Sequence, residues 1–417
     1  MFNSVCMVGL GYIGLPTATI LASKKIKVIG VDINQKVVDT INQGRIHIVE
    51  PELDVLVHAV VSAGYLRAAT IPEPADAFLI AVPTPFAADH KPDVSYIRAA
   101  ANSIAPVLQK GNLVILESTS PVGTTELLAA WLAELRPDLK FPLKPQDSSD
   151  IHIAYCPERV LPGRVVHELV ENDRIIGGLN QTASALATSL YETFVSGALI
   201  ATDSRTAEMC KLTENSYRDV NIAFANELSI ICDRLNIDVW ELIALANRHP
   251  RVDILRPGPG VGGHCIAVDP WFIVDSAADQ ARIIKAAREI NDSKPDWVIQ
   301  RVDSFAAARP RSRQGGFAVA CLGLSFKPDI DDLRESPALA IATKLSARGY
   351  AVAAVEPNLP ELEHHAVPAN IELLSLDDAL DKADLTIVLV KHKEFVTARD
   401  RIRSKTPLLD VVGLYHE

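Results

Sequence analysis

The sequence predicts an α/β protein built from two doubly wound βαβ sections, one towards each end, joined by a long central helix and a helical region that carries a subunit contact. Three observations predict it. An apolar run near the N-terminus enters the turn Gly9-Leu10-Gly11-Tyr12-Ile13-Gly14 and is followed by helix-like and strand-like stretches in alternation. From Asp203 to His249 there is neither glycine nor proline. A second strand–turn–helix–strand succession begins at Gly316.

The first section starts with a strand over Ser4 to Val8, then the glycine turn, a helix from Leu15 to Ser23, and a second strand from Lys27 to Val31 that ends at Asp32. Strand, GxGxxG, helix, strand and acid in that order make a Rossmann-like dinucleotide site. Gly9, Gly11 and Gly14 allow a tight turn and close approach to a pyrophosphate, which a helix N-terminus favours. Asp32 would accept hydrogen bonds from the adenosine ribose and repel a 2′-phosphate, so the expected cofactor is NAD rather than NADP. Further strands are predicted over Ala77 to Val82, Leu113 to Glu117 and Ile151 to Tyr155. They end in Pro83-Thr84-Pro85, Ser118-Thr119-Ser120-Pro121 and Cys156-Pro157-Glu158-Arg159. Ligands gather at the carboxyl ends of such strands, so these turns are expected to line a crevice with the glycine loop.

In the central stretch, Ala207, Cys210, Tyr217, Phe224, Leu228, Ile231 and Leu235 recur mostly at three, four or seven, which predicts a long amphipathic helix. Asp203 or Ser204 caps it, and Asp238 with Glu241 starts another over Val239 to Asn247. Lys211, Asn215 and Arg218 share one helix face, either a functional face or an ordinary solvated one. The helix is long enough to act as a spacer and subunit contact. The last section reads as a strand over Phe317 to Leu322, the turn Gly323 to Pro328, a polar stretch to Ser336, a helix over Ala338 to Ala347, and strands over Ala351 to Val355 and Leu385 to Val390. Without a full GxGxxG it should bind something other than a second dinucleotide. Lys327 and Arg334 either meet phosphates there or pair with Asp329, Asp331, Asp332 and Glu335. The expected domains are residues 1–200, 201–300 and 315–417, with a surface loop over 137–150.

At 417 residues the chain exceeds a single core. A net charge of −11 argues against nucleic acid as the main partner. No apolar stretch approaches the ~20 residues that span a membrane, and Met1 to Val8 runs into a strand, so neither membrane insertion nor a signal peptide is expected. Six cysteines without CxxC pairing suit a reducing cytoplasm and predict no metal site. Five of them, Cys6, Cys156, Cys210, Cys232 and Cys321, sit in apolar or helical stretches and read as core. Cys265 instead lies in Gly260-Val261-Gly262-Gly263-His264-Cys265, four residues before Asp269, where a thiol can act as a nucleophile. A redox cofactor with a nucleophilic cysteine suggests oxidation through a thioester.

Val8 to Pro16, Ala81 to Pro85, Glu117 to Thr125, Tyr155 to Gly163, Glu208 to Leu228, Gly258 to Phe272 and Gly323 to Pro337 together resemble the UDP-glucose/UDP-mannose dehydrogenase family over essentially the whole chain. The resemblance implies a nucleotide-sugar 6-dehydrogenase consuming two NAD+, with an N-terminal NAD domain, a central dimerisation region and a C-terminal UDP-binding domain. It implies Cys265 as nucleophile, Lys211 and Asn215 as donors to the oxygen on carbon 6, and Glu158 or Asp269 as hydrolytic base, with Thr119 holding water. Arg159, Val160, Lys211, Asn215, Arg218, His249, Arg251, Gly262, Phe326 and Lys327 become the implied UDP-sugar contacts, His249 and Arg251 reaching a neighbouring subunit's site in a homodimer. Tyr12, Ile13, Asp32, Thr84, Thr125 and Arg334 match the family's NAD contacts.

Two departures from the UDP-glucose branch resemble the N-acetylhexosamine branch. The second glutamate of Pro-Glu-Phe-Leu-x-Glu-Gly is missing from Pro157 to Gly163, and Gly-Gly-Ser-Cys is replaced by Gly262 to Cys265. Met209 to Asn221 and Gly262 to Phe272 are similar to the members that oxidise UDP-N-acetyl-D-mannosamine, with UDP-N-acetylglucosamine and UDP-glucose as the next substrates. Val412 stands where the family places a basic residue before Gly413. Readings of another class are a two-electron hydroxy-acid dehydrogenase, which has no use for a nucleophilic cysteine, and a non-catalytic NAD sensor, expected to lack Cys265 or Lys211.

Overall fold

Runs of buried apolar residues build the first sheet of the computed structural model, which describes residues 2–48, 50–86, 89–144, 146–160, 163–263, 265–308, 316–360 and 365–416. The chain divides into two compact units, Met1–Glu214 and Asn215–Glu417.

The first unit holds strands β1 (Ser4–Val8), β2 (Lys27–Val31), β3 (Leu66–Ala69), β4 (Ala77–Ile80), β5 (Leu113–Leu116), β6 (His152–Tyr155), β7 (Arg174–Gly178) and β8 (Leu199–Asp203). Their spatial order is β3-β2-β1-β4-β5-β6-β7-β8. The first six are parallel, and β7 pairs antiparallel with β6, so β7 and β8 run the other way. In β1, Val5 and Met7 enter one core with Leu15 and Leu21, while Cys6 and Val8 enter another with Leu128 and Leu132. Helices therefore cover both faces, as a parallel sheet requires. Strand order reverses between β1 and β4, which puts a switch point beside the glycine turn.

A helix over Ser204–Leu235 starts in the first unit and continues into the second. Asp203 caps it, accepting from Thr206 N at 2.9 Å and Thr206 Oγ1 at 2.7 Å. The following helix, Val239–Ala246, is capped by Asp238, which accepts from Trp240 N and Glu241 N. The second unit carries a parallel sheet, ordered β11-β10-β9-β12-β13, of β9 (Ala318–Leu322), β10 (Ala351–Val355), β11 (Glu372–Leu373), β12 (Leu385–Val388) and β13 (Leu408–Asp410).

The apolar stripe read along the long helix is buried at Ala207 but not beyond it: Tyr217 is 72% exposed, and Phe224, Ile231 and Leu235 are exposed too. The buried positions further along include small apolar residues, Ala223, Ala225 and Cys232, mixed with polar ones. Asp219 accepts from Arg288 Nη1 at 2.6 Å and Asn291 Nδ2 at 2.8 Å, and Asn226 Nδ2 donates to Asn291 Oδ1 at 2.8 Å. Lys294 Nζ donates to Ser229 Oγ and lies 3.7 Å from the Trp297 ring centre, and burial pushes its ammonium down to about 7. These partners come from the helix Arg282–Ala307, which is long despite Pro295 inside it. Hydrogen bonds and the Asp219–Arg288 ion pair offset much of the cost of burying these polar groups.

Candidate active site

In the first unit, the glycine turn is shaped by contacts that leave no room for side chains. Gly9 has φ +92° and donates its amide to Val31 O at 2.8 Å. A Cβ there would lie 2.3 Å from Ala81 O, and one on Gly14 would lie 1.8 Å from Gly9 O. Around Gly11, by contrast, no atom lies within 4 Å of the Cβ position. That open approach, beside the N-terminus of the helix Gly14–Ser23 with no side-chain cap, fits a pyrophosphate. Tyr12 is exposed and Ile13 half-buried in the same turn. Asp32 is held at the end of β2 by Leu10 N at 3.2 Å and Asn34 N at 2.9 Å, half-buried, in the position of a ribose-binding acid.

The turns after β4 and β5 are stitched together. Thr84 Oγ1 donates to Thr119 O at 2.6 Å, and Val82 N donates to Ser118 Oγ at 2.9 Å. Thr125, expected to face NAD, is wholly buried: its amide and hydroxyl both donate to Glu208 Oε1, at 2.8 and 2.6 Å, while Gly123 N donates to Glu208 Oε2 at 2.6 Å. Its hydroxyl is turned to a carboxylate rather than outward. Lys211, one helical turn beyond Glu208, is buried.

Glu158 accepts from Val160 N, and Arg159 pairs with Glu214 at 2.7 Å while donating to Asp173 O at 3.1 Å. Leu161 and Pro162, where the second glutamate of the UDP-glucose pattern would fall, lie outside the described residues. Behind this loop, Glu117 accepts from Tyr191 OH at 2.6 Å. Burial pushes the Glu117 carboxyl up, against the buried Arg174 guanidinium, which lies 5.0 Å from the Tyr191 ring centre. Burial likewise pushes the Cys156 thiol up to about 11. Glu50, also buried, accepts from Gly163 N at 2.8 Å and Val165 N at 2.7 Å.

In the second unit, Asn215 Nδ2 donates to Asp269 Oδ2 at 2.5 Å. Asp269 opens the helix Asp269–Ser276, is buried, and donates its amide to Cys265 O at 2.8 Å. One turn of chain thus joins the thiol residue to the carboxylate, and a side-chain hydrogen bond brings in Asn215 from the Ser204–Leu235 helix. Cys265 is exposed, whereas Cys6, Cys156, Cys232 and Cys321 are buried and Cys210 is half-buried. His264, read as pointing to an acetamido sugar, lies outside the described residues.

The glycines before the thiol pack on Phe326. A Cβ on Gly262 would lie 2.8 Å from Phe326 Cβ and 2.4 Å from Glu335 O; Gly263 has φ +84° with the Phe326 ring 3.0 Å from its Cβ position. Lys327 is half-buried beside Phe326 in the chain. Arg334 pairs internally, donating from Nε at 2.9 Å and Nη2 at 2.6 Å to the two oxygens of Asp332. Arg218, His249 and Arg251 are exposed, and His249 Nδ1 accepts from Arg251 N at 3.3 Å within a turn closed by Asn247 and Ile254. Val412 is half-buried, its amide donating to Asp410.

Sequence reasoning missed Glu208, Glu117 and Glu50. Each is a buried carboxylate whose partners are remote in sequence, so no spacing announces it; Glu208 alone carried a hint, being one turn from Lys211. Among the described residues, no helix is long and apolar enough to cross a membrane.

Residues 3–195 match the NAD-binding domain of the UDP-glucose/GDP-mannose dehydrogenase family, residues 205–293 its central domain, and residues 320–417 its UDP-binding domain. The mannose nucleotide in that family's description is the GDP sugar, not the UDP sugar. Over 398 residues the chain is 63% identical to a UDP-N-acetyl-D-mannosamine dehydrogenase of Campylobacter jejuni, covering 95% of this chain and 97% of that one. It is 61% identical over 416 residues to an NDP-N-acetyl-D-galactosaminuronic acid dehydrogenase of Ralstonia nicotianae, covering 99% and 96%. Among solved structures, a UDP-D-ManNAc dehydrogenase of Pyrococcus horikoshii superposes with a TM-score of 0.88 at 36% identity, covering 99% of this chain and 96% of that one.

Proposed function

The chain belongs to the UDP-glucose/GDP-mannose dehydrogenase family, and on that premise we propose that it oxidises the 6-hydroxyl of UDP-N-acetyl-D-mannosamine to the carboxylate. The observation that carries this is the exposed Cys265 on a glycine-rich loop, hydrogen-bonded through its carbonyl to Asp269, which in turn holds Asn215. Bound NAD+ supplies the hydride acceptor, and two are consumed for each sugar. In this reading residues 1–200 bind NAD, 201–300 form a dimerisation region, and 315–417 hold the UDP moiety.

Carbon 6 first becomes an aldehyde, and Lys211 and Asn215 stabilise its oxygen as negative charge develops. Cys265 Sγ adds to the aldehyde carbon, giving a thiohemiacetal. Loss of a second hydride from that carbon leaves a thioester. Water then attacks the acyl carbon, the thiolate departs, and the acid is released, with Glu158 or Asp269 taking the water's proton and Thr119 holding the water. Covalent attachment divides one hard oxidation into easier steps and retains the aldehyde. The balance is one alcohol, two NAD+ and one water giving one carboxylate, two NADH and three protons.

For the sugar nucleotide, the reading assigns Arg159, Val160, Arg218, Gly262, Phe326 and Lys327, with His249 and Arg251 supplied by a neighbouring subunit. A homodimer is supported by the exposed stripe of Tyr217, Phe224, Ile231 and Leu235, an apolar helix face that a second copy would cover. Arg334 would have to leave Asp332 to meet NAD. A cytoplasmic location suits a thiol-dependent, NAD-linked reaction. The identity to the Ralstonia relative supports a second reading in which the sugar is N-acetylgalactosamine; both substrates keep the 2-acetamido group. Turnover on UDP-N-acetylmannosamine, UDP-N-acetylgalactosamine, UDP-N-acetylglucosamine and UDP-glucose separates them, and the proposal expects the first to give the highest kcat/KM. Cys265→Ala should abolish acid formation while NAD+ still binds; full turnover by that variant would overturn the mechanism.

A further inference from the structure

We propose that Glu208 is a positioning residue: it clamps the first turns of the Ser204–Leu235 helix onto the start of the helix Thr124–Leu135, just after the turn that carries Thr119, and so fixes Lys211 in place. This rests on the reading that Lys211 meets the developing charge on the sugar oxygen. The clamp has three hydrogen bonds, from Gly123 N at 2.6 Å, Thr125 N at 2.8 Å and Thr125 Oγ1 at 2.6 Å, and its carboxylate is wholly buried. The helix Thr124–Leu135 has no side-chain cap of its own at Gly123, so Glu208 satisfies its first amides from a distant part of the chain. A carboxylate there also meets the positive end of the helix dipole.

Neighbouring contacts hold the helix just before Glu208. One turn earlier, Arg205 grips Glu126 with two bonds of 2.8 and 2.7 Å. Ala207 presses so closely on β7 that a Cβ on Gly177 would lie 2.6 Å from Ala207 Cβ. Residues three apart are neighbours on a helix surface, so Lys211 projects beside Glu208. Lysine has four rotatable bonds and a point charge that suits many positions. Its usefulness as an oxyanion donor therefore depends on what fixes its backbone, and small misplacements near chemistry cost about 100-fold. A glutamine at 208 keeps one carbonyl acceptor for Thr125 but turns an NH2 towards Gly123 N and removes the charge, loosening the clamp at near-constant volume.

The test measures kcat, KM and pH dependence for Glu208→Gln, Lys211→Ala and the double variant. Glu208→Gln is expected to lower kcat about 10- to 100-fold, with KM for NAD+ changed less than about twofold and the limb of the pH–kcat profile displaced. In the Lys211→Ala background the same change should cost almost nothing further, because the two act through one group. A fall in thermal midpoint with unchanged kcat and pH profile, or full additivity in the double variant, would overturn the inference. If Lys211→Ala itself retains full turnover, the reading of Lys211 fails instead. Should Glu208→Gln not fold, Thr125→Val removes one of the three donors and is expected to lower kcat in the same direction by less; unchanged kcat there also overturns the clamp.

Discussion

At the end of β1, Gly9 (φ +92°) donates to Val31 O at 2.8 Å, Leu10 donates to Asp32, and Asn34 donates back to the same carboxylate. At the end of β9, Gly323 (φ +91°) donates to Val355 O at 2.9 Å, Leu324 donates to Glu356 at 2.6 Å, and Asn358 donates back at 3.2 Å. The two units thus repeat one backbone device and finish it differently. Asp32 is half-buried, its helix begins at Gly14, and the space at Gly11 is open. The Glu356 side chain is wholly buried, with His392 Nε2 at 3.2 Å, and the next helix begins only at Pro337. A strand, a glycine and an acid do not by themselves make a dinucleotide seat. What decides is whether the acid remains available to a ribose and whether a helix N-terminus stands close behind the glycine. In the second unit His392 occupies the acid, and the long loop instead presents Phe326 and Lys327.

The largest expected effect comes from removing the sealed acid. Glu356→Ala takes the acceptor from three amides, those of Leu324, Ser325 and Asn358, and one partner from the buried His392, and should cost about 3–5 kcal/mol of stability while leaving KM for NAD+ unchanged. Burial alone would raise the Glu356 carboxyl, but His392 and the amides of Leu324 and Ser325 hold it below its ordinary value. A depressed acid contributes stability that is present above its unfolded value and is lost as pH falls through the folded one. Wild-type unfolding midpoints should therefore drop across the acid range, and the variant's should drop less. A Glu356→Ala variant that loses NAD affinity but not stability would erase the contrast.

The open acid should behave the other way. Asp32→Ala is expected to raise KM for NAD+ by about 10- to 100-fold, the ~1.5–3 kcal/mol of hydrogen bonds to a charged group, and to narrow the preference over NADP. Its thermal midpoint should change little, since its two partners are backbone amides near solvent. A large loss of stability with unchanged KM would show that Asp32 is merely structural.

Much of this was legible because buried strands in a parallel sheet are plain apolar runs: β1, β2 and β10 have the bounds expected of them. Strand β7 escaped because an arginine, Arg174, opens it and Gly177-Gly178 close it, leaving only two apolar residues between them. Those glycines are there for close approach, Gly177 to Ala207 and Gly178 to Ser184. Strand β8 is an edge with little burial, and Pro295 hid the continuity of the helix Arg282–Ala307. Among the candidate site residues, Cys265 stood out by its glycine-rich loop, whereas Asn215 and Asp269 drew their candidate roles from the family resemblance. The clamp by Glu208 and the seal by His392 were not legible, because both depend on partners distant in the chain that composition and spacing do not encode. The apolar stripe gave the helix correctly, Ser204–Leu235, but periodicity does not say whether the face meets its own chain or another.

The central claim is a four-electron oxidation through Cys265, and counting the NADH formed per molecule of UDP-N-acetyl-D-mannosamine consumed by the wild-type enzyme tests it most directly. The account predicts two NADH and a uronate product. One NADH per sugar, with an aldehyde or ketone accumulating, would contradict it.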